Sequence, residues 1–293
     1  MKAFTLLLFT ILINSAYAKV RPFETTHLKA TSGAGVGSLL IDESSILNPA
    51  SIAFYNTSSF YFSRTGSEVT RSSNTNYENR KDGNTAFILS DSKGKTAGSL
   101  SYIQQTFLES KRKTMAASMA YPVGNYTSLG TTYKIIKEEN NLNSENFNAI
   151  KYNEFIIGVS HVVSPNVTMG LVVNNPLDNK YAQRLAKIGF QYTFNGFISL
   201  IGDAGSDYKQ TLSDNLIYNI ASQFKIFESV FLRVGTFRDK LNLERGDGLG
   251  LSWVQPKLVL EFALKNTKVE KSPERDQEGS SIKESSFSLA YKF

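Results

Sequence analysis

Ser286-Phe287-Ser288-Leu289-Ala290-Tyr291-Lys292-Phe293 alternates bulky apolar side chains with small or polar ones. In an extended chain successive side chains point to opposite faces. Phe287, Leu289, Tyr291 and Phe293 therefore share one face, and Ser286, Ser288, Ala290 and Lys292 the other. The pattern recurs upstream. Leu258, Leu260, Phe262 and Leu264 share a face, as do Met115, Ala117, Met119 and Tyr121. So do Leu129, Thr131, Tyr133 and Ile135, then Ile188, Phe190, Tyr192 and Phe194. A period of two over so many short segments commits the chain to a sheet with one apolar face.

Charge obeys the same alternation. Lys134, Glu154, Lys187, Arg233 and Glu261 each fall opposite the apolar face. A Lys or Arg facing lipid at mid-membrane would cost about 2–4 kcal/mol, and the pattern avoids that cost each time. A water-soluble sandwich would alternate too, so the strand count and the connections must decide. Segments near 57–66, 83–91, 96–107, 112–121, 126–137, 150–161, 167–174, 185–194, 197–203, 215–225, 230–238, 248–254, 257–265 and 284–293 read as strands. That makes fourteen, an even number as bacterial single-chain barrels have. The faintest are those near 57–66, 83–91 and 197–203, and twelve strands is the alternative. Connections alternate between long (Thr65–Asn84, Glu138–Ala149, Asn174–Arg184, Gly202–Asn215, Arg238–Gly248, Asn266–Lys283) and short (Ser90–Lys95, Pro122–Asn125, Ser164–Asn166, Lys225–Glu228, Val254–Pro256). The loop Glu109–Lys111 is the one short member of the long side. Asn195-Gly196 between aromatic strands signals a type I′ hairpin. Tight turns on one side and larger loops on the other are the asymmetry of an outer-membrane barrel. The expected fold is an all-β, antiparallel transmembrane barrel over 57–293.

The start of the chain fits export. Met1-Lys2, the apolar run Ala3 to Ile13 and Ala16-Tyr17-Ala18 form a secretory signal peptide over 1–18, cut after Ala18. The sequence has no cysteine, so neither disulfides nor a lipid anchor are expected. The net charge of +6 reads as solvated loops. With only Lys111-Arg112-Lys113 as a basic cluster, no nucleic-acid partner is expected. His27 and His161 have no evident partner, which leaves hydrolase chemistry and a metal site unsupported. The chain is read as no enzyme, with no cofactor. The polar loop Asn266–Lys283 reads as a solvated external loop.

Residues 19–56 precede the first strand. Leu39, Leu40, Ile41, Ile46, Leu47, Ile52 and Phe54 are too apolar for a free tail. A fourteen-stranded lumen is too wide for the wall's own side chains to fill and too narrow for an open porin channel. The segment is therefore expected to plug the lumen. Gly33-Ala34-Gly35-Val36-Gly37 lacks the spacing and the Lys of a phosphate loop, and its glycines are expected to let backbone approach the wall. Asp42, Ser44 and Ser45 are expected to cap a short helical turn that Asn48-Pro49 ends. Among the inward glycines Gly130, Gly158, Gly189 and Gly235, close packing of the plug outweighs strand kinking as the explanation.

The stretch SGAGVGSLLIDESSILNPASIAF resembles the amino-terminal hatch of the FadL family of outer-membrane fatty-acid and hydrocarbon transporters. The matching positions are Gly33, Gly35, Gly37, Asp42, Ser44, Ser45, Asn48, Pro49, Ala50 and Phe54. The PorV-like barrels of secretion systems share a similar start. The aromatic strand carrying Phe287, Leu289, Tyr291 and Phe293 resembles the signal read by the barrel-assembly machinery of Gram-negative outer membranes. The resemblance implies a barrel in outer-membrane lipid that passes small hydrophobic molecules such as fatty acids; its oligomeric state is left open, with a monomer favoured. A non-conducting scaffold barrel of an export system is the second reading. The external loops are modest, and Leu241 and Leu243 are the nearest candidates for an apolar capture surface.

Overall fold

The computed structural model describes residues 20–71, 81–107, 110–140, 148–272 and 279–293. The expected signal peptide lies outside the described residues, as do parts of the loops expected at Thr65–Asn84, Glu109–Lys111, Glu138–Ala149 and Asn266–Lys283.

Fourteen strands form one closed antiparallel barrel in which each pairs with its sequence neighbours and the first with the last. They are β1 (Ser58–Arg71), β2 (Lys81–Asp91), β3 (Ala97–Phe107), β4 (Ser110–Pro122), β5 (Thr127–Asn140), β6 (Asn148–Ser164) and β7 (Val167–Asn174). Then follow β8 (Leu185–Phe194), β9 (Ile198–Ser206), β10 (Ile217–Phe227), β11 (Val230–Asp239), β12 (Glu244–Val254), β13 (Leu258–Val269) and β14 (Ser280–Lys292). The three faintest strands of the sequence are all present, so the count is fourteen and not twelve.

The differences lie at the strand ends on the long-loop side. β1 runs on to Arg71, β6 begins at Asn148, β12 at Glu244 and β13 ends at Val269. There the ladder continues although the outward residues become polar, so apolar alternation stops before the hydrogen bonds do. The loop expected at Arg238–Gly248 accordingly shrinks to residues 240–243. On the other side the turns are as short as expected, and Asn195 and Gly196 both have positive φ (47° and 69°), as a type I′ turn requires.

The pleat sorts side chains into two shells. Leu100, Met115, Met119, Leu129, Ile157, Ile188, Leu251 and Phe262 stand exposed on the outer wall. Ser59, Ser63, Thr65, Ser128, Thr132, Ser160 and Ser288 are buried on the inner one. An outward belt of large apolar side chains around a closed ladder with no sheet edge is how a sheet satisfies its backbone in lipid. The terminal-strand residues Phe287, Tyr291 and Phe293 are exposed on that outer face.

Candidate functional site

Residues 20–57 run inside this wall. The five-residue helix α1 (Thr26–Ala30) is N-capped by Thr25 and packs against β11, β12, β13 and β14. The six-residue 3-10 helix Pro49–Phe54 packs against β3, β4, β5 and β6 across the lumen. Between them the segment crosses β7 to β10. Small apolar clusters fix it locally, such as Val36 with Ile156 and Val172, and Ile41 and Ile52 with Ala97 and Ala120.

Glycine seats explain how close it lies. A Cβ on Gly130 would fall 2.5 Å from the backbone of Pro49 and Ala50, and one on Gly170 would fall 2.0 Å from the Val36 carbonyl. On Gly235 it would meet the Thr31 carbonyl carbon at 2.5 Å, and on Gly158 the Asn48 side chain at 2.3 Å. Gly37 returns the favour from the inner segment, since a Cβ there would sit 2.5 Å from Phe190 backbone. Only residues without side chains permit such backbone-to-backbone approach.

Gly33 takes the left-handed conformation (φ 84°). The amides of Gly35 and Val36 both donate to the Asp203 carboxylate of β9, at 2.8 and 3.0 Å. Asn219 of β10 donates to the Ser32 carbonyl at 2.6 Å, and Thr168 of β7 to the Gly37 carbonyl at 2.6 Å. Asn48 donates to the Val36 carbonyl (2.9 Å), the Val159 carbonyl (3.2 Å) and Ser160 Oγ (3.0 Å). Its Oδ1 accepts the Ala50 amide at 3.1 Å. Phe54 closes the 3-10 helix.

Asp42, Ser44 and Ser45 do not cap a helical turn. Asp42 accepts from Ser59 of β1 at 2.7 Å and Ser44 donates to Ser99 of β3 at 3.0 Å, so both reach the wall instead of a helix end. Ser45 Oγ is buried without a partner among the described residues. Asn48-Pro49 opens a helix: pre-proline Asn48 is extended and caps the turn that Pro49 begins.

The lumen charges mostly pair. Register sets Lys134 opposite Glu154, and their side chains meet at 3.4 Å. Arg233 donates to Glu261 at 2.8 Å, and Ser252 and Ser288 also donate to that carboxylate. Lys187 makes no ion pair within 4 Å among the described residues. Both histidines have neighbours that the sequence did not reveal. His27 Nδ1 of α1 lies 3.6 Å from Glu261, and His161 Nδ1 bonds Thr127 at 2.8 Å on the outer face.

Sequence reasoning missed a second set of charges. Arg21 pairs with Glu244 (2.7 Å), Lys29 with Glu284 (2.6 Å) and Glu24 with Lys265 (2.6 Å). Each ties the inner segment to β12, β14 or β13. Burial pushes Glu24 up, but Lys265 and Lys29 outweigh it and hold the carboxyl below its ordinary range. Burial also raises Asp42 and Glu43, Asp42 to about 6 and Glu43 to about 8, helped for Glu43 by the charges of Asp42 and Glu261. The inward phase of Lys265 was readable from alternation; its partner across 241 residues was not.

Above this floor, toward the long loops, a cavity of about 890 Å³ opens. Phe23 of the inner segment and Ile103, Leu185 and Phe237 of the wall line it together with the paired charges and Lys187. That size is typical of small-molecule sites, and its ceiling is formed by loop residues including Tyr181 and Leu241.

A closed fourteen-stranded barrel, an amino-terminal segment threaded inside it and a cavity above that segment can be compared with solved structures. The CymD monoaromatic hydrocarbon channel superposes with a TM-score of 0.73 at 11% identity, covering 91% of this chain and 96% of that one. The chain has the FadL-type fold. The Ralstonia pickettii toluene transporter TbuX gives a TM-score of 0.71 at 11% identity, covering 93% and 99%. A Pseudomonas aeruginosa FadL homologue gives 0.61 at 12% identity, covering 93% and 98%. No family model and no curated protein matches the sequence. In this FadL-type barrel the likeness lies in the fold, and at 11–12% identity the lumen must be read from its own residues.

Proposed function

We propose that the chain is an outer-membrane barrel through which small hydrophobic or amphipathic molecules pass passively, with residues 20–56 as the hatch. The observation that carries this reading is the cavity: it lies at the long-loop end, and its floor is the inner segment itself. A molecule entering from the loop side meets apolar wall first and the hatch next. The solved barrels of this fold that are described as hydrocarbon or toluene channels support the choice of cargo class. Phe23, Ile103, Leu185 and Phe237 would cover an apolar body, and Lys187, with no ion pair among the described residues, would attract an acidic head such as that of a fatty acid. The paired charges add no net field of their own, because each cation there faces a carboxylate.

The test is flux. Liposomes containing the purified protein should take up toluene and a medium-chain fatty acid faster than empty liposomes, and Phe237→Glu, which puts a charge into the cavity, should lower that uptake about tenfold or more. Uptake equal to that of empty liposomes for both probes, together with a co-purifying protein, would favour the scaffold reading instead. That second reading draws on the density of hatch-to-wall hydrogen bonds, which a purely structural inner segment would also need.

A further inference from the structure

The outer wall carries a charge arrangement that transport through the lumen does not use. Pairing sets Lys113 of β4 directly opposite Lys137 of β5, and Lys137 directly opposite Lys151 of β6. All three occupy outward positions, in phase with the exposed Met115, Tyr133 and Ile135. Lys113 and Lys137 stand at the very next outward position beyond Met115 and Ile135, and Lys151 at the next beyond Asn153, where the apolar belt ends on the long-loop side. Lys111 lies one outward step further, opposite Glu139. Glu139 pairs with Lys137 at 2.6 Å and is the one carboxylate paired with the row among the described residues. Lys113 and Lys151 make no ion pair among the described residues.

Like charges directly opposite each other on one face of a sheet are destabilising. Three in a row across about 10 Å of wall, at ~4.8 Å per strand, is an arrangement with a cost unless an anion sits on it. Its position says which anion. The row borders hydrocarbon on one side and water on the other, the depth at which lipid headgroups lie, and cationic side chains at that depth attract anionic lipid. We infer that Lys113, Lys137 and Lys151 form a docking site on the outer wall for a phosphorylated headgroup of the lipid leaflet around the long-loop end. Ammonium groups on flexible stems suit this task, because they can follow a phosphate that is not rigidly held. A second cationic row, Arg238 opposite Arg245 opposite Lys268, repeats the arrangement at β11 to β13, with Arg245 partly neutralised by Glu270 at 3.6 Å.

The inference rests on the outer face meeting lipid, and the test separates the two. Wild-type protein, the variant K113Q/K137Q/K151Q and the control K93Q/K95Q/K257Q, which removes as many charges at the short-turn end, are purified in zwitterionic detergent. Each is titrated with a bis-phosphorylated glycolipid, its dephosphorylated form and inorganic phosphate, and retained lipid is read by native mass spectrometry. Expected is at least tenfold tighter retention of the phosphorylated lipid by wild type and control than by K113Q/K137Q/K151Q, weakened by added salt. The dephosphorylated form should bind all three alike. Equal retention by wild type and K113Q/K137Q/K151Q overturns the inference. So does an equal loss in the control, which would make the effect one of net charge, or full displacement by inorganic phosphate at matched concentration. The shift in gel mobility between boiled and unboiled samples reports folding of the barrel independently: if wild type lacks it, the membrane reading has failed and not this site alone.

Discussion

At the scale of single residues the lumen is decided by which side chains are missing and which are neutral. Gly170 must lack a Cβ because the Val36 carbonyl occupies its place. Gly170→Ala should therefore cost about 1–3 kcal/mol of overpacking and lower the temperature at which the band shift is lost. Gly66→Ala, whose Cβ would meet nothing nearer than 3.8 Å, should leave it unchanged. Glu43 gives a pH dependence. Burial first, then the nearby Asp42 and Glu261, raise its pKa to about 8, against Thr25, which donates to it, and Arg233. The folded state thus holds this proton more tightly than the unfolded one. Its contribution is complete below the ordinary carboxylate pKa of about 4.3 and is lost as pH rises through about 8. Protease nicking of the inner segment, measured from pH 5 to 9, should rise with pH in wild type and rise less in Glu43→Gln. His27, lowered by burial and by Arg233, works in the opposite sense and is unchanged in that variant.

At the scale of elements, the inner segment is held at each end by a device that can be removed. Asn48 caps the 3-10 helix and also donates to the buried Val36 carbonyl. Asn48→Ala should cost about 1 kcal/mol for the cap and a further 1–3 kcal/mol for the unpaired carbonyl, seen as faster proteolysis near residue 48 with the barrel intact. At α1, Arg233→Met would strand the Glu261 carboxylate beside His27, a loss of about 3–5 kcal/mol. Arg233→Met with Glu261→Met should recover most of it, as measured by the same band-shift midpoint. The strands were legible in the sequence because alternation is local: each reports its own two faces. The strand ends were less so, because above the apolar belt the outward face turns polar while pairing continues, as at Arg245 opposite Lys268. The Asn48-Pro49 helix start was missed because pre-proline geometry ends one turn and caps another equally well.

At the scale of the whole molecule, the strand count and the apolar residues of 19–56 together led to the expectation of a filled lumen, but nothing in the sequence told which groups would clasp the inner segment. The carboxylate of Asp203 that holds Gly35 and Val36, and the pairs Glu24–Lys265 and Lys29–Glu284, join residues more than 160 positions apart, which no local pattern encodes. Cutting the clasp should change permeability. With residues 20–54 removed, or with Lys29, Asp203 and Lys265 neutralised together, planar bilayers should show larger and steadier currents than wild type. Unchanged currents would mean that the inner segment does not limit passage.

Ser58 and Phe293 exchange backbone hydrogen bonds at the β1–β14 seam, so the first strand of the ring waits for the last. Without that seam the sheet has two bare borders at once, and neither β1 nor β14 has a sequence neighbour left to cover it. Closure thus depends on the two ends of the barrel sequence meeting, and a chain cut short before β14 would keep an unpaired sheet edge of the kind that pairs with other chains.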